Sequence, residues 1–216
     1  MSQMYRDLLV QPNQFFGQRS GNESLRSPAL VVLIAALASL PGALFIMQTS
    51  LSAMPAEARA FVAIGYFIGL AASVLGTFFK WALYASVFYL LSRILGGQGG
   101  LRSLFLITGW GFAPAVMKGV ASSIAVGYAL ATTVAAPVRP EAIQTFTRTL
   151  HSNPAVIASN IVSVAIVFWQ GLLWTFAVHY ACNLSLRRAA IVVGIPLGIE
   201  ISWSLMSLIG TGTFTS

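Results

Sequence analysis

Three ionisable residues lie deep inside long apolar segments of this sequence: Lys80, Lys118 and Glu200. A charged side chain at the centre of a bilayer costs about 2.5–3.5 kcal/mol even on the lenient insertion scale, so we expect all three to face a protein interior or a polar cavity. Together they carry a formal charge of +1 when fully ionised. Either one lysine is neutral because of desolvation, or an anion such as a lipid phosphate or a small anion binds beside them.

The depths of these residues predict that they meet at one level. Measured from the basic end of each segment, Lys80, Lys118 and Glu200 lie about 21, 24 and 18 Å along a helix that rises 1.5 Å per residue. Another apolar segment offers Gln170 and Asn160 at compatible spacing. We predict an intramembrane polar cluster of these five residues. It is either a functional site or pathway, or a structural network that holds the helices together.

Few residues are available for catalysis or metal binding. The sequence has neither a His-Glu-x-x-His zinc motif nor a Gly-x-Ser-x-Gly nucleophile elbow. Its four glutamates fall in different segments, and no histidine or second carboxylate neighbours them in sequence as an acid–base pair requires. His179 and Cys182 lie one turn apart, but a metal site needs three or four ligands. We predict a non-enzymatic protein with no cofactor and no metal site.

The composition indicates the medium in which these residues are placed. Of the 216 residues, 57% are hydrophobic and 8% are charged, whereas a soluble domain carries about 25% charged residues. A water-soluble globule is therefore excluded. The net charge of +7 comes from basic residues too scattered for a phosphate-binding face, so no nucleic-acid partner is expected. The sequence predicts an integral membrane protein in contact with the lipid bilayer.

Five apolar runs are long enough to span the hydrocarbon, which takes about 20 helical residues. We predict an all-α fold, a polytopic bundle of five transmembrane helices within residues 28–210. Pro41, Pro114 and Pro196 are expected to kink the first, third and fifth spans. The predicted spans are 28–48, 61–95, 104–134, 155–182 and 189–209.

The distribution of arginine predicts the orientation of the bundle. Seven basic residues fall on the side of the N-terminus and three on the opposite side, and basic loops favour the cytoplasm. We therefore expect a multi-pass protein of the cell membrane with a cytoplasmic N-terminus and an external C-terminus. Residues 1–27 are predicted to form one or two short helices whose apolar side lies on the inner membrane surface. Residues 211–216 would form a short external tail.

Two glycine patterns in the sequence lead to different predictions, a helix contact and a turn. The pairs Gly65/Gly69 and Gly194/Gly198 fit the small-xxx-small pattern of close helix packing and would support a homo- or hetero-oligomer. The run 96–100 is rich in glycine but lacks the Gly-Lys-Ser/Thr ending of a phosphate loop and follows a helix. We predict a flexible turn between two spans.

Two stretches resemble a known family. Val10-Gln-Pro-Asn-Gln-Phe-Phe16, ahead of Ser27-Pro28-Ala-Leu, is similar to the N-terminus of prokaryotic Ypt-interacting-protein (Yip) domain proteins. Leu95-Gly-Gly-Gln-Gly-Gly-Leu-Arg102, leading into Trp110-Gly-Phe-Ala-Pro114, resembles the family's glycine-rich turn and proline-containing third span. The resemblance implies a five-span membrane protein without recognised catalytic residues. The Asp-Leu-Tyr-Gly-Pro signature of the eukaryotic branch, which is associated with Rab GTPases and vesicle trafficking, is absent, so Rab binding is not implied.

Two functions remain open at this point. One is a non-enzymatic protein of membrane organisation, with trafficking-like roles or partner binding. The other is a small transporter or channel, for an ion or a lipid, that uses the level of Lys80, Lys118 and Glu200. A transporter requires a wettable cavity that reaches at least one face of the membrane. A scaffold requires the charges to be buried and paired, and a direct Glu200–lysine contact without any cavity would contradict transport.

Overall fold

The computed structural model describes residues 2–18, 24–52, 54–132 and 140–210, and this part of the chain is helical with no strand. Polar residues are scarce and the apolar runs are long, so the backbone satisfies its hydrogen bonds within helices, as a bilayer requires. The described helices are α1 (Ser2–Val10), α2 (Pro12–Gly17), α3 (Arg26–Ala38), α4 (Leu40–Ser52), α5 (Ala56–Ile94), α6 (Leu101–Trp110), α7 (Ala113–Thr132), α8 (Pro140–Ser152), α9 (Pro154–Cys182) and α10 (Leu186–Gly210).

Four stretches of the described residues are long and apolar enough to cross a membrane. They are Arg26–Ser52, Ala56–Ile94, Leu101–Thr132 and Pro154–Cys182. The predicted all-α membrane fold is therefore confirmed, while the count of five spans stays a prediction. Its fifth member corresponds to α10, a helix of 25 residues that would extend about 37 Å at 1.5 Å per residue. The predicted external tail lies outside the described residues.

The first span is interrupted at Ser39, between α3 and α4. Pro41 has no amide hydrogen, so it cannot donate a helical bond across the interruption. The hydroxyl of Ser123 on α7 accepts a hydrogen bond from the Gly42 amide at 3.1 Å and donates one to the Ala38 carbonyl at 3.1 Å. These two backbone groups would bond to each other in an unbroken α-helix. The inserted hydroxyl therefore replaces one helical hydrogen bond.

The third span is interrupted at Gly111 and Phe112, between α6 and α7. Pro114 follows two residues later and again withholds an amide donor. Trp174 of α9 packs into the break, where its indole Nε1 donates to the carbonyl oxygen of Thr108 at 2.9 Å. A Cβ atom on Gly111 would overlap the Trp174 ring. Glycine is required here because it lets the indole approach the backbone.

The centre of the bundle is formed by α7 and α9, which pack on each other, with α3 and α4 against α7 and α10 against α9. Asn153 caps the start of α9 by accepting the Ala155 amide at 2.9 Å, and Pro154 occupies the first turn. At the other end, Asn183 adopts the left-handed conformation with φ 51°, a common helix stop. These local signals fix both ends of the helix that crosses the middle of the molecule.

The glycine-rich stretch 96–100 forms a turn between α5 and α6, and it is closely packed. Gly96 adopts φ +83°, a left-handed conformation that ends α5. The Gln98 amide donates to the carbonyl of Cys182 at 2.9 Å, and a Cβ atom on Gly99 would overlap the backbone of α9. The sequence predicts a flexible turn, whereas these glycines bring the turn against the end of α9.

The two N-terminal helices fold onto the end of the bundle. Leu8 is fully buried, and the Phe15 ring lies edge-on to Trp110 with 5.5 Å between centroids. The Tyr180 hydroxyl donates to the side-chain oxygen of Asn13 at 2.6 Å. The sequence predicts an apolar side facing lipid, but much of that side contacts protein. Packing against the Trp110 ring removes this apolar side from water, as contact with lipid would.

Candidate functional site

Lys80 of α5 and Glu200 of α10 form a direct ion pair inside the bundle. The Lys80 Nζ atom lies 2.6 Å from Oε1 of Glu200. Tyr84, one turn further along α5, donates its hydroxyl to Oε2 of the same carboxylate. The Lys80 ammonium also lies 5.5 Å from the centroid of the Tyr84 ring, within cation–π range. Both carboxylate oxygens of Glu200 therefore receive donors from a single turn of α5.

An aromatic stack joins this pair to the break in the third span. The Tyr84 ring stacks on Trp174 with 4.7 Å between centroids. Trp174 is also the residue that donates to the Thr108 carbonyl at the end of α6. Side-chain contacts consequently run from Glu200 on α10, through α5 and α9, to α6. A displacement of the ion pair would therefore disturb the packing of the Tyr84 and Trp174 rings.

A polar cavity of about 220 Å³ lies on the inner side of the pair. Lys80, Glu200, Lys118 and Gln170 line it, and hydroxyl groups contribute further lining from Ser39, Thr77 and Ser122. Gln170 is 4% exposed, and its Nε2 group has no hydrogen-bond partner among the described residues. In the same part of the chain, no carboxylate lies within ion-pair distance of Lys118. The Ser39 and Thr77 hydroxyls already donate to the Ala36 and Ser73 carbonyls, so Lys118 and Gln170 are the main donors that face the cavity.

A second space of about 610 Å³ lies on the outer side of the pair, between α5 and α10. Apolar residues make up most of its wall: Leu83, Val87, Ile195, Pro196 and Ile199. Lys80, Tyr84 and Glu200 form the polar part of the wall. The side chain of Lys80 is 38% exposed and that of Glu200 is 18% exposed. We name this space the lateral groove, since in a bilayer it would open toward lipid.

Four of the five predicted cluster residues come together around the inner cavity: Lys80, Lys118, Gln170 and Glu200. Asn160 does not line it. It lies ten residues before Gln170 on α9, which corresponds to about 15 Å along the helix axis. The same spacing turns Asn160 about 80° around the helix axis from Gln170, so it differs in direction as well as in depth.

The three prolines that are predicted to kink the spans have different settings. Pro41 lies two residues after Ser39, and Pro114 lies three residues after Gly111, so each follows an interruption between consecutive helices. Pro196 lies inside α10, where the helix continues through it. It lines the lateral groove next to the ion pair. The missing amide of Pro196 therefore falls close to Glu200 without ending the helix.

The two glycine pairs lie on the outside of the chain. Gly65, Gly69, Gly194 and Gly198 are exposed, and a Cβ atom on any of them would meet nothing within 4 Å. They therefore make no close helix contact within the described part of the protein. An apolar groove of about 800 Å³ runs beside Gly65 and Gly69.

The remaining candidates for chemistry have structural contacts. The Nδ1 atom of His179 contacts the carbonyl of Leu184 just beyond the end of α9. Cys182 is buried beneath the glycine-rich turn. Within the described ranges, no group of three histidine, cysteine or carboxylate side chains could hold a metal ion. Both residues therefore pack at the end of α9.

The predicted cluster leaves out Tyr84, which binds Glu200, and the sequence gives no sign of Ser123, which bridges the break in the first span. Tyr84 was visible as a residue four positions after Lys80, a spacing that places both on one helix face, and it binds Glu200. Ser123 carries no such signal, because its neighbour Ser122 is equally small and polar. Only the packing of α7 against α3 and α4 distinguishes the serine that enters the helix break.

Apolar helices around a charged pair define an integral membrane protein with a helical, polytopic fold. The sequence matches the Yip1 domain family over residues 6–208. This match covers nearly the whole chain, and the protein belongs to that family.

One curated relative adds a weaker similarity. An uncharacterized protein of Methanocaldococcus jannaschii is 28% identical over 123 residues, which cover 56% of this chain and 86% of that protein. No solved structure shows a significant match. The resemblance to prokaryotic Yip proteins is thus confirmed at the level of the family.

Proposed function

We propose that this chain is a non-enzymatic membrane protein that acts in membrane organisation or partner binding. The observation that carries the proposal is the closed arrangement of Lys80, Tyr84 and Glu200, in which both oxygens of the carboxylate are bonded to α5. A saturated pair that joins two helices is suited to fixing the shape of a bundle. In the proposed topology, five spans cross the cell membrane, the N-terminus is cytoplasmic and the C-terminus is external.

Burial and pairing support this proposal over an enzyme. Removing one partner from a buried ion pair leaves an uncompensated charge, which costs about 3–5 kcal/mol in a fully buried site. Such a pair therefore constrains the relative position of α5 and α10. Acid–base catalysis would need a carboxylate free to exchange a proton with substrate, and the Glu200 oxygens are already engaged by Lys80 and Tyr84.

A second candidate, a small transporter or channel, is favoured by one specific observation. The inner cavity holds Lys118 and the unpartnered Nε2 group of Gln170 beside the ion pair. Polar residues at this depth also mark ion or substrate pathways. For this function, the Lys80–Glu200 contact would have to open during the transport cycle, and the cavity would have to connect to one side of the membrane.

Flux measurements on the reconstituted protein separate the two candidates. The purified chain is incorporated into liposomes, and proton, chloride, potassium and fluorescent-lipid fluxes are compared with those of protein-free liposomes. The proposed function predicts no flux above the protein-free control. The matched variant is Glu200→Gln, which opens the ion pair and keeps the side-chain size.

A flux that appears in the wild-type protein and is lost in Lys118→Gln would establish transport and overturn the first proposal. A flux that appears only in Glu200→Gln would instead support a bundle closed by the pair, because leakage then depends on breaking it.

A further inference from the structure

We infer that the Lys80/Lys118/Glu200 site binds an anionic phospholipid, with an acyl chain in the lateral groove and its phosphate held by the two lysines. The inference rests on the proposed function and names its partner as a lipid. Three independent features of the described residues carry it: the charge balance of the cluster, the donors of the inner cavity, and the apolar wall of the groove.

The charge balance calls for one more anion. Glu200 neutralises Lys80 at 2.6 Å, and no described carboxylate is within ion-pair distance of Lys118. An unpaired ammonium is costly in a low-dielectric setting unless a counter-charge or water accompanies it. The carboxylate oxygens of Glu200 face Lys80 and Tyr84, so an incoming phosphate meets donors at Lys118.

The inner cavity supplies the hydrogen-bond donors that a phosphate requires. Gln170 is almost fully buried, lines the cavity and leaves its Nε2 group without a partner. The hydroxyl group of Ser122 also lines the cavity, whereas the Thr77 hydroxyl already donates to the Ser73 carbonyl at 3.0 Å. A charge-assisted hydrogen bond from Lys118 is roughly twice as strong as a neutral one. Together these groups form a site for an acceptor with several oxygens.

The lateral groove explains why the anion is a lipid. The groove and the inner cavity share two lining residues, Lys80 and Glu200, so the ion pair borders both spaces. Leu83, Ile195 and Ile199 give the groove an apolar wall, which suits an acyl chain. The Lys80 side chain is 38% exposed and lines this mostly apolar space. Because Lys80 lines both spaces, a phosphate beside Lys118 in the inner cavity would also neighbour Lys80 while its acyl chain lies in the groove, whereas a free anion would leave the wall bare.

Native mass spectrometry of the full chain in detergent micelles tests the inference. The probes are phosphatidylglycerol, phosphatidylcholine of the same chain length, and inorganic phosphate. We expect phosphatidylglycerol to bind at least about tenfold more tightly than phosphatidylcholine, because the choline ammonium cancels the charge of the phosphate and is repelled by the two lysines, whereas the glycerol headgroup is neutral. Lys118→Gln should remove that preference. Because this substitution deletes an unpaired charge, the variant should keep its fold, which its melting temperature checks.

A second pair of variants tests the groove independently of the cluster. Leu83→Trp fills the groove and should weaken phosphatidylglycerol binding by about tenfold, the loss expected when well-packed chain contacts are removed. Leu75→Trp is the matched control: Leu75 is an exposed leucine of the same helix that does not line the groove. This control should bind phosphatidylglycerol as the wild type does.

Several outcomes would overturn the inference. Equal binding of the two lipids would do so, as would retention of the preference in Lys118→Gln. Binding of inorganic phosphate that depends on Lys118, without a lipid preference, would replace the lipid with a free anion. Flux above the protein-free liposomes would instead overturn the proposed function, whatever the lipid measurement gives, so the two failures are distinguishable.

Discussion

Lys80 and Glu200 lie 120 positions apart in the chain and meet at 2.6 Å, between α5 and α10. Tyr84 completes the contact from the next turn of α5. The pair borders a polar cavity on one side and an apolar groove on the other. The proposed roles in bundle stability and in lipid binding both depend on this pair.

Ser123→Ala tests the hydroxyl that bridges the interruption of the first span. The substitution leaves the Gly42 amide and the Ala38 carbonyl without the bonds they now make to Ser123. We expect the free energy of unfolding to fall by about 1–3 kcal/mol, the cost of unsatisfied buried polar groups. Ser73→Ala is the control, because Ser73 is exposed and bonds only within its own helix. A change equal to that of the control would contradict the bridging role. Thermal unfolding in detergent provides the measurement.

Gly111→Ala tests the close approach of Trp174 to the break in the third span. The added Cβ atom would overlap the indole ring, so the ring would have to leave the Thr108 carbonyl and its stack on Tyr84. We expect a loss of about 1–3 kcal/mol or more, as for other overpacked sites. Gly65→Ala is the matched control, with open space around its Cβ position. It should be neutral or stabilising by up to about 1 kcal/mol, since alanine favours a helix.

The exposed pair Gly65/Gly69 tests self-association through the outer face of α5. We predict that Gly65→Leu combined with Gly69→Leu lowers the fraction of chemically cross-linked dimer in liposomes, because the larger side chains keep the helices apart. Gly76→Leu, at another exposed glycine of α5, is the control. An unchanged dimer fraction would direct attention to Gly194 and Gly198 on α10. If the wild type and every variant are monomeric, the predicted self-association is contradicted.

The sequence was sufficient to predict the helical membrane fold and the meeting of Lys80, Lys118 and Glu200. Apolar length determines which segments are helices, and the cost of buried charge determines which way these residues face. Helical periodicity argues against Asn160, because ten residues separate it from Gln170 by about 80° around α9 and about 15 Å along it. Periodicity could not reveal that Leu8 and Phe15 are covered by protein. An amphipathic pattern is the same whether its apolar side contacts lipid or a neighbouring helix.

The glycine-rich turn shows a similar limit. Five residues with four glycines indicate a turn, but the same composition fits a flexible loop and a closely packed one. The distinction comes from Cys182 and the end of α9, which lie far away in sequence and contact the turn. Tyr84 could have been included in the predicted cluster, because its spacing of four residues from Lys80 places both on one face of a helix.

A double-mutant cycle on Lys80 and Glu200 tests the central claim most directly. Unfolding free energies in detergent would be measured for Lys80→Met, Glu200→Leu, the double variant and the wild type. Lys80 is partly exposed, so we expect each single change to cost about 2–3 kcal/mol, below the 3–5 kcal/mol of a fully buried pair. The double variant should lose less than the sum of the two single losses, with a coupling energy of about 1–3 kcal/mol. Strictly additive single effects would show that the two residues do not interact and would contradict the account.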